Sequence, residues 1–320
     1  MITTAALSQS HGAAIRELLG TVTSHDGVSP LDEAARLAIT AAAGDAQHLL
    51  LSADGHASAG EAAGDESAAE AAQPLLGYVS VLADGTVQGM VRPAQRRRGH
   101  GTALLRAALE LRPDAGVWAH GALEGSLAFL AHAGLHETRS LLTLHRPLGP
   151  AHPVPEVAAP TLEDLRLDTF EADRDAEGLL EVNAAAFADH PEQGAMTRAD
   201  LDQRMAEPWF DPADLLVARR GRDLVGFVWV KQEPAGEAET DEVSGAVDAE
   251  IYVVATSPAV QGHGVAGHLL ATSLTRLQEA GVPGVELYVE ADNAPALALY
   301  ERWGFSVSGR DVQMRMAEKS

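Results

Sequence analysis

The first chemistry the sequence offers lies in "TSPAVQGHGVAGHLL" (256–270), with glycines spaced Gly262-x-Gly264-x-x-Gly267. Small residues leading into a helix leave backbone N–H groups uncovered, and the helix dipole favours an anion at that end. A diphosphate suits such a turn. By spacing alone the glycines form a dinucleotide fingerprint. They follow the apolar, β-branched run "EIYVVA" and open an amphipathic helical pattern. One feature opposes a nicotinamide cofactor: "TSPAV" separates that run from Gln261, whereas a Rossmann glycine comes straight off its strand.

The elements that must hold this turn occur twice. Superposing Pro93 on Pro258, 165 positions further on, brings "GTVQGMVRPAQRRRGHGTALLRAALEL" onto "EIYVVATSPAVQGHGVAGHLLATSLTRL". Arg96 then meets Gln261, Gly99 meets Gly264 and Gly101 meets Ala266, while His100 meets Val265, two positions beyond His263. Of the three glycines only Gly264 has a glycine counterpart, because Gly262 faces Arg97 and Gly267 faces Thr102. The shared pattern is [Arg/Gln]-x-x-Gly-x-[Gly/Ala], not the dinucleotide one. Each copy runs into a helix with an inward stripe: Leu104, Leu105, Ala108, Leu109 and Leu111 in one, Val265, Leu269, Leu270, Leu274 and Leu277 in the other. Further on, "FLAHAGL" (129–135) matches "LYERWGF" (299–305).

A strand, this turn and a helix resemble the acetyl-CoA diphosphate loop of the GCN5-related N-acetyltransferases, the GNAT family. "VELYVEADNAPALALYERWGF" (285–305) carries the resemblance independently, with Asn-x-x-Ala-x-x-x-Tyr-x-x-x-Gly-Phe running from Asn293 to Phe305. The resemblance implies an α/β (α+β) chain of two tandem GNAT domains, each a mixed, splayed central sheet flanked by helices. It implies acetyl-CoA as co-substrate, and no metal. In the second half the coenzyme would lie on the strand edge Val254, Ala255 and Thr256. Its diphosphate would meet Gln261, Gly262, His263, Gly264, Val265, Ala266 and Gly267. Asn293 and the helix start Ala294, Pro295, Ala296, Leu297 and Ala298 would complete that site. In the first half the corresponding residues are Gly89, Met90 and Val91, then Arg96, Arg97, Arg98, Gly99, His100 and Gly101.

Amide formation from a thioester requires an amine stripped of its proton, a donor for the oxyanion, and a proton for the leaving thiolate. The resemblance makes Tyr300 the thiolate's proton donor and Glu250 the base, acting directly or through water. The first half has Leu130, Gly85 and Leu123 opposite Tyr300, Glu250 and Asn293. That half is therefore expected to bind acetyl-CoA without catalysing transfer.

Over the whole chain the resemblance narrows to tandem enzymes that acetylate the cysteinyl amine of cysteinyl-glucosaminyl-inositol. It rests on "RRRGHGTALLRAAL", "VWAHG", "HPEQGAMT", "WFDP", "GFVWVK", "EIYVV" and "LYVEADN". Carried over by motif, Glu192, Lys231, Glu250 and Tyr288 line the acceptor pocket, with Glu33 reaching in from the first half. The alternatives are another small amine or a protein N-terminus as acceptor, a non-catalytic acetyl-CoA-binding module, and a dinucleotide oxidoreductase.

Composition sets the frame. A chain of 320 residues with 46% hydrophobic content is globular and long enough for two domains. Its formal charge of −23 repels phosphodiester backbones and anionic headgroups, so neither nucleic acid nor membrane is expected as partner. No cysteine is present, which excludes disulfides and thiolate chemistry. The start shows no basic segment followed by an apolar run, and no apolar stretch is long enough to span a bilayer. A cytoplasmic monomer is expected, with the small thiol-sugar that the resemblance implies as its partner. Five prolines in "RPLGPAHPVPEVAAP" (146–160) point to a stiff, extended linker, which gives domains at 1–148 and 161–320 joined by 149–160. Residues 52–73 and 233–249, Ala/Gly-rich and acidic, read as enlarged connections between strands.

Overall fold

The structure is a computed structural model that describes residues 1–40, 46–53, 74–188, 194–232 and 248–317. In chain order the first half forms β1 (Ile2–Thr4), α1 (Gln9–Asp26), α2 (Glu33–Thr40), β2 (Gln47–Ser52), β3 (Leu75–Val81) and β4 (Thr86–Val91). It continues with α3 (His100–Leu111), β5 (Gly116–Ala119), α4 (Glu124–His132) and β6 (Leu135–Pro147). The second half forms β7 (Leu165–Thr169), α5 (Ala172–Ala186), α6 (Arg198–Met205), β8 (Leu215–Arg220), β9 (Asp223–Lys231) and β10 (Ala249–Thr256). There follow α7 (Val265–Glu279), β11 (Gly284–Glu290), α8 (Ala294–Arg302) and β12 (Ser306–Met316). The expected α/β class and the duplicated order of elements are both present. Strands flank both acidic connections, whose residues 54–73 and 233–247 lie outside the described residues.

Two compact units make up the chain: Met1–Leu141 with Arg310–Ser320, and Leu142–Gly309. They part inside β6, upstream of residues 149–160. Residues 1–148 and 161–320 thus describe the duplicated sequence rather than the packed units. The physical reason is a strand exchange. In the first unit β5 pairs antiparallel with β12, through Val312↔Ala119, Gln313↔Trp118 and Met314↔Val117. In the second unit the place beside β11 is taken by β6. Val312 and Met314 are buried in the first unit's core with Leu104, Leu105, Val117 and Leu130.

The Pro-rich stretch begins as strand rather than linker, since Arg146 and Pro147 end β6. Arg146 is buried, and its guanidinium donates to the carbonyls of Trp303 (2.6 Å), His152 (3.1 Å) and Pro153 (2.8 Å). Proline-rich chain offers carbonyls without N–H partners, and a buried Arg with five donors collects them.

In the first unit α3 buries Leu104, Leu105 and Ala108 as its periodicity predicts. Leu111 departs from the expected stripe and is 42% exposed. It is the last residue of α3, where the apolar phase continues to the helix end. In the second unit Val265, Leu269, Leu270, Leu274 and Leu277 are all buried against Val228, Val230 and Ile251 on one face of the sheet. The other face carries Trp229, Phe227 and Val253, packed with α5 and with Trp209.

Candidate active site

The site of the second unit starts from a parting of strands. β10 pairs with β9 from Glu250↔Lys231 to Thr256↔Gly226. With parallel β11 it pairs only at Ala249↔Val285 and Glu250↔Glu286. Beyond Glu250, among the described residues, no strand pairs with the β11-facing edge of β10, which includes Val254, Ala255 and Thr256. The first unit repeats this, with β4 and β5 paired only at Thr86↔Gly116 and Val87↔Val117. A sheet opened this way offers backbone donors and acceptors to an extended ligand, and such groups must be satisfied by something.

At the end of β10 the chain makes a short helical turn, Pro258–Val260, and enters α7. Gly264 is the N-cap, with φ of 82°, and no side chain caps the helix. His268 N–H donates to Gly264 O (3.0 Å), so the N–H groups of Val265, Ala266 and Gly267 precede the first intrahelical bond. They stand where the glycine spacing leads an anion to be expected. The first unit is built alike: Gly99 is the N-cap of α3 with φ of 84°. Gly262 has φ of 79°, and its counterpart Arg97 has φ of 62° without being glycine. The left-handed turn is therefore a requirement of the loop itself. On the linker side Thr161 N–H donates to His263 O (3.1 Å), and Thr161 Oγ1 lies 2.9 Å from His263 Nδ1.

α8 follows β11 and begins at Asn293, whose Oδ1 accepts the N–H of Ala296 (3.1 Å). Pro295 stands in the first turn, where its missing N–H costs nothing. Tyr300 lies nearly two turns into α8, with its ring 5.6 Å from that of Phe305 in an edge-on contact. Burial pushes its phenol above the usual tyrosine range, so it holds its proton firmly.

Strand register fixes the rest. Val230, Ala249, Ile251 and Val285 face the α7 side. Lys231, Glu250 and Glu286, alternating with them and mutually in register, form a row across three strands on the opposite face. The register between β9 and β10 shifts between Ile251 and Val253, making Tyr252 the extra residue of a bulge. Tyr252 Oη accepts from Arg204 Nε (2.7 Å), and its ring packs on Trp209 (5.5 Å) and Trp229 (5.4 Å). Lys231 is 7% exposed and sets its Nζ 5.1 Å from the centre of the Trp209 ring. Tyr288 lies two residues beyond Glu286 on β11 and donates to Glu286 Oε1 (3.4 Å).

Sequence reasoning missed Glu286, together with Asp248 and His145 beside it. Burial first, and then the Asp248 carboxylate, hold Glu286 above the usual carboxylate range, against the opposing pull of Tyr288, His145 and Lys231. His145 Nε2 lies 3.0 Å from Asp248 Oδ2. The signal was present: in "VELYVE" the two-residue period puts Glu286 on the face of Tyr288.

Of the expected acceptor residues, Lys231, Glu250 and Tyr288 share one face of the second unit. Glu33 is the first residue of α2 in the first unit. Glu192 lies outside the described residues.

The first unit encloses a cavity of about 890 Å³. Gly89, Met90, Val91, Arg96, Arg97, Gly99, His100 and Gly101 all line it, and Arg98 does not. Arg96 is committed to Asp26 by two bonds (2.8 and 2.6 Å). Strand register also corrects the residue opposite Glu250. Leu82 N–H donates to Thr86 O (2.8 Å), and Thr86 pairs with Gly116. Without the bulge at Tyr252, the equivalents of Lys231, Glu250 and Glu286 are Leu82, Thr86 and Gly116. Thr86 replaces Gly85 as the counterpart, and no carboxylate stands there in either reading.

Comparison with known proteins agrees with this architecture. Residues 179–305 match the family model of the acetyltransferase (GNAT) family. The chain is 65% identical to the mycothiol acetyltransferase of Brachybacterium faecium over the full length of both. It is 42% identical to that of Thermomonospora curvata, covering 91% of this chain and 88% of the relative. Among solved structures, a GCN5-related N-acetyltransferase from Sphaerobacter thermophilus superposes with a TM-score of 0.63 at 20% identity, covering 98% of this chain and 94% of the other. A tandem GNAT protein from the clavulanic acid pathway gives 0.55 at 20% identity over 76% and 79%. These two likenesses are of fold. The dinucleotide reading of the glycines ends here: the chain belongs to the mycothiol acetyltransferases of the GNAT family.

Proposed function

We propose that the chain transfers the acetyl group of acetyl-CoA to the cysteinyl amine of cysteinyl-glucosaminyl-inositol, giving mycothiol. Full-length identity of 65% to a mycothiol acetyltransferase is the observation that carries this reading. The diphosphate sits on the amides of Val265, Ala266 and Gly267, and the pantetheine runs along the free edge at Val254–Thr256. The thioester then lies in the opening between β10 and β11. Glu250 takes a proton from the acceptor ammonium, and the freed nitrogen attacks the thioester carbon. A C–N bond forms, the carbonyl oxygen becomes an oxyanion, and a backbone N–H of β10 receives it. Collapse breaks the C–S bond, Tyr300 gives its phenolic proton to the departing thiolate, and the surplus proton left on the nitrogen returns through water to the Tyr300 oxygen. A firmly held proton suits this role, because the acid must stay protonated until sulfur acquires charge.

Glu192, Lys231 and Tyr288 hold the acceptor, with the carboxylate taking sugar hydroxyls and Lys231 fixing orientation over Trp209. The first unit binds acetyl-CoA in its 890 Å³ cavity and does not transfer it, because neither Thr86 nor Leu130 can move a proton as Glu250 and Tyr300 do. The test is thiol release from acetyl-CoA with the cysteinyl compound against glucosaminyl-inositol, spermidine and a peptide N-terminus. A preference for the cysteinyl compound is expected. Equal or faster reaction with another amine would replace the acceptor named here.

A further inference from the structure

The row Lys231–Glu250–Glu286 holds two carboxylates side by side on neighbouring strands, where the backbones of a sheet lie about 4.8 Å apart. Adjacent like charges on one face of a sheet repel and are ordinarily avoided. This pair stands at the last rung before β10 and β11 part, at the mouth of the opening that receives the thioester. In the first unit the rung equivalent by register carries Thr86 and Gly116, one before the last pair Val87↔Val117, and a Cβ at Gly116 would run into the side chains of Gln313 and Arg315. One unit fills the place and the other lines it with acid.

We propose that Glu286 is the residue that recognises the acceptor's ammonium group, clamping it against Glu250 before Glu250 removes its proton. A primary ammonium has three N–H donors, and two carboxylates in register receive two of them from one side. When Glu250 takes the proton it holds, the lone pair is left at that position, and Glu286 keeps the freed nitrogen at the mouth of the opening. The cation also offsets the repulsion between the two acids, so the pair is at its most stable when acceptor is bound. The groups facing Glu286 are Lys231 from β9, Glu250 from β10, Asp248 just before β10, Tyr288 from its own strand and His145 from β6. Asp248 is turned toward His145 (3.0 Å) and Tyr288 donates to Glu286 (3.4 Å), so the second oxygen of Glu286 is the one presented to the ligand.

The inference rests on the acetyl-transfer reading and is tested within it. In Glu286→Gln the KM for the cysteinyl acceptor rises about tenfold or more, while kcat and the KM for acetyl-CoA stay within twofold of wild type. Because protonation of Glu286 abolishes the clamp, the acceptor's kcat/KM in wild type falls on the acid side with two groups. In Glu286→Gln it falls with one. Glu286→Asp recovers part of the acceptor KM. An unchanged acceptor KM, or an equal loss for both substrates with a lowered Tm, would overturn the proposal. If wild type acetylates a different amine and not the cysteinyl compound, the acceptor assignment fails. Glu286 is then judged on that amine by the same split.

Discussion

At the scale of single residues the account turns on Glu250 and Tyr300. Glu250→Gln and Tyr300→Phe each remove one proton transfer and are expected to lower kcat by roughly 10²–10⁴-fold with little change in acetyl-CoA KM. Steady-state rates of thiol release measure this. The pH profile separates the two. Burial raises the Tyr300 pKa, and a raised acid keeps its proton to higher pH. The alkaline loss of rate in wild type therefore sets in above the ordinary tyrosine range, and Tyr300→Phe shows none from this group. A basic limb starting near neutrality and absent from Tyr300→Phe would contradict the burial argument. The placement of Asn293, Tyr300 and the Gly264 turn on their elements was legible in the sequence, because they lie in short stretches with fixed spacing. Glu286 was not read as part of the site. A lone Glu within a strand looks like a solvated charge until the register sets it beside Glu250 and Lys231.

At the scale of elements, the loop before α7 makes a sharper claim than its glycines did. Gly264 has φ of 82°, a region that a β-branched residue enters only under strain. Gly264→Val is expected to cost about 1–3 kcal/mol of stability in the second unit and to raise the acetyl-CoA KM at least tenfold. Thermal unfolding and steady-state kinetics read the two effects. At Arg97 (φ 62°) the opposite change, Arg97→Gly, relieves strain and should leave stability equal or raise it by up to about 1 kcal/mol. The bulge at Tyr252 shows the limit of sequence alignment. One extra residue in β10 moves the counterpart of Glu250 from Gly85 to Thr86, and only a hydrogen-bond ladder reveals the insertion. Leu111 shows the other limit: periodicity gives the phase of a helix face but not how far along the helix that face is buried.

At the scale of the whole molecule, the duplicated sequence and the packed units do not coincide. Residues 310–316 complete the first unit, with Val312 and Met314 in its core and Asp311 accepting the N–H of Gly121 (2.7 Å) and facing His120 Nδ1 (3.1 Å). The repeat period announced two similar halves, but nothing in local pattern tells β6 from β12 as the strand beside β5. Residues 1–150 alone lack that strand. They are expected to unfold at a lower temperature than the first unit of the intact chain, and to recover when a peptide of residues 306–317 is supplied; equal Tm values would refute the exchange. Its hydrogen bonds to His120 and Gly121 hold the Asp311 carboxyl below the usual range despite burial. A depressed carboxylate contributes stability that is present above its unfolded pKa and lost as pH falls through the folded value. Asp311→Asn should accordingly lower the Tm near neutral pH and flatten its dependence in the acid range. Among the described residues no helix is long and apolar enough to cross a membrane.

A crystal structure with bound acetyl-CoA is the most direct test of the second unit's site. The diphosphate should lie on the amides of Val265, Ala266 and Gly267, with the thioester in the opening between β10 and β11. Its sulfur should be within hydrogen-bond reach of the Tyr300 hydroxyl, and Glu250 within reach of an attacking amine, directly or through one water. A coenzyme held only in the first unit, or a thioester remote from both side chains, would contradict the account.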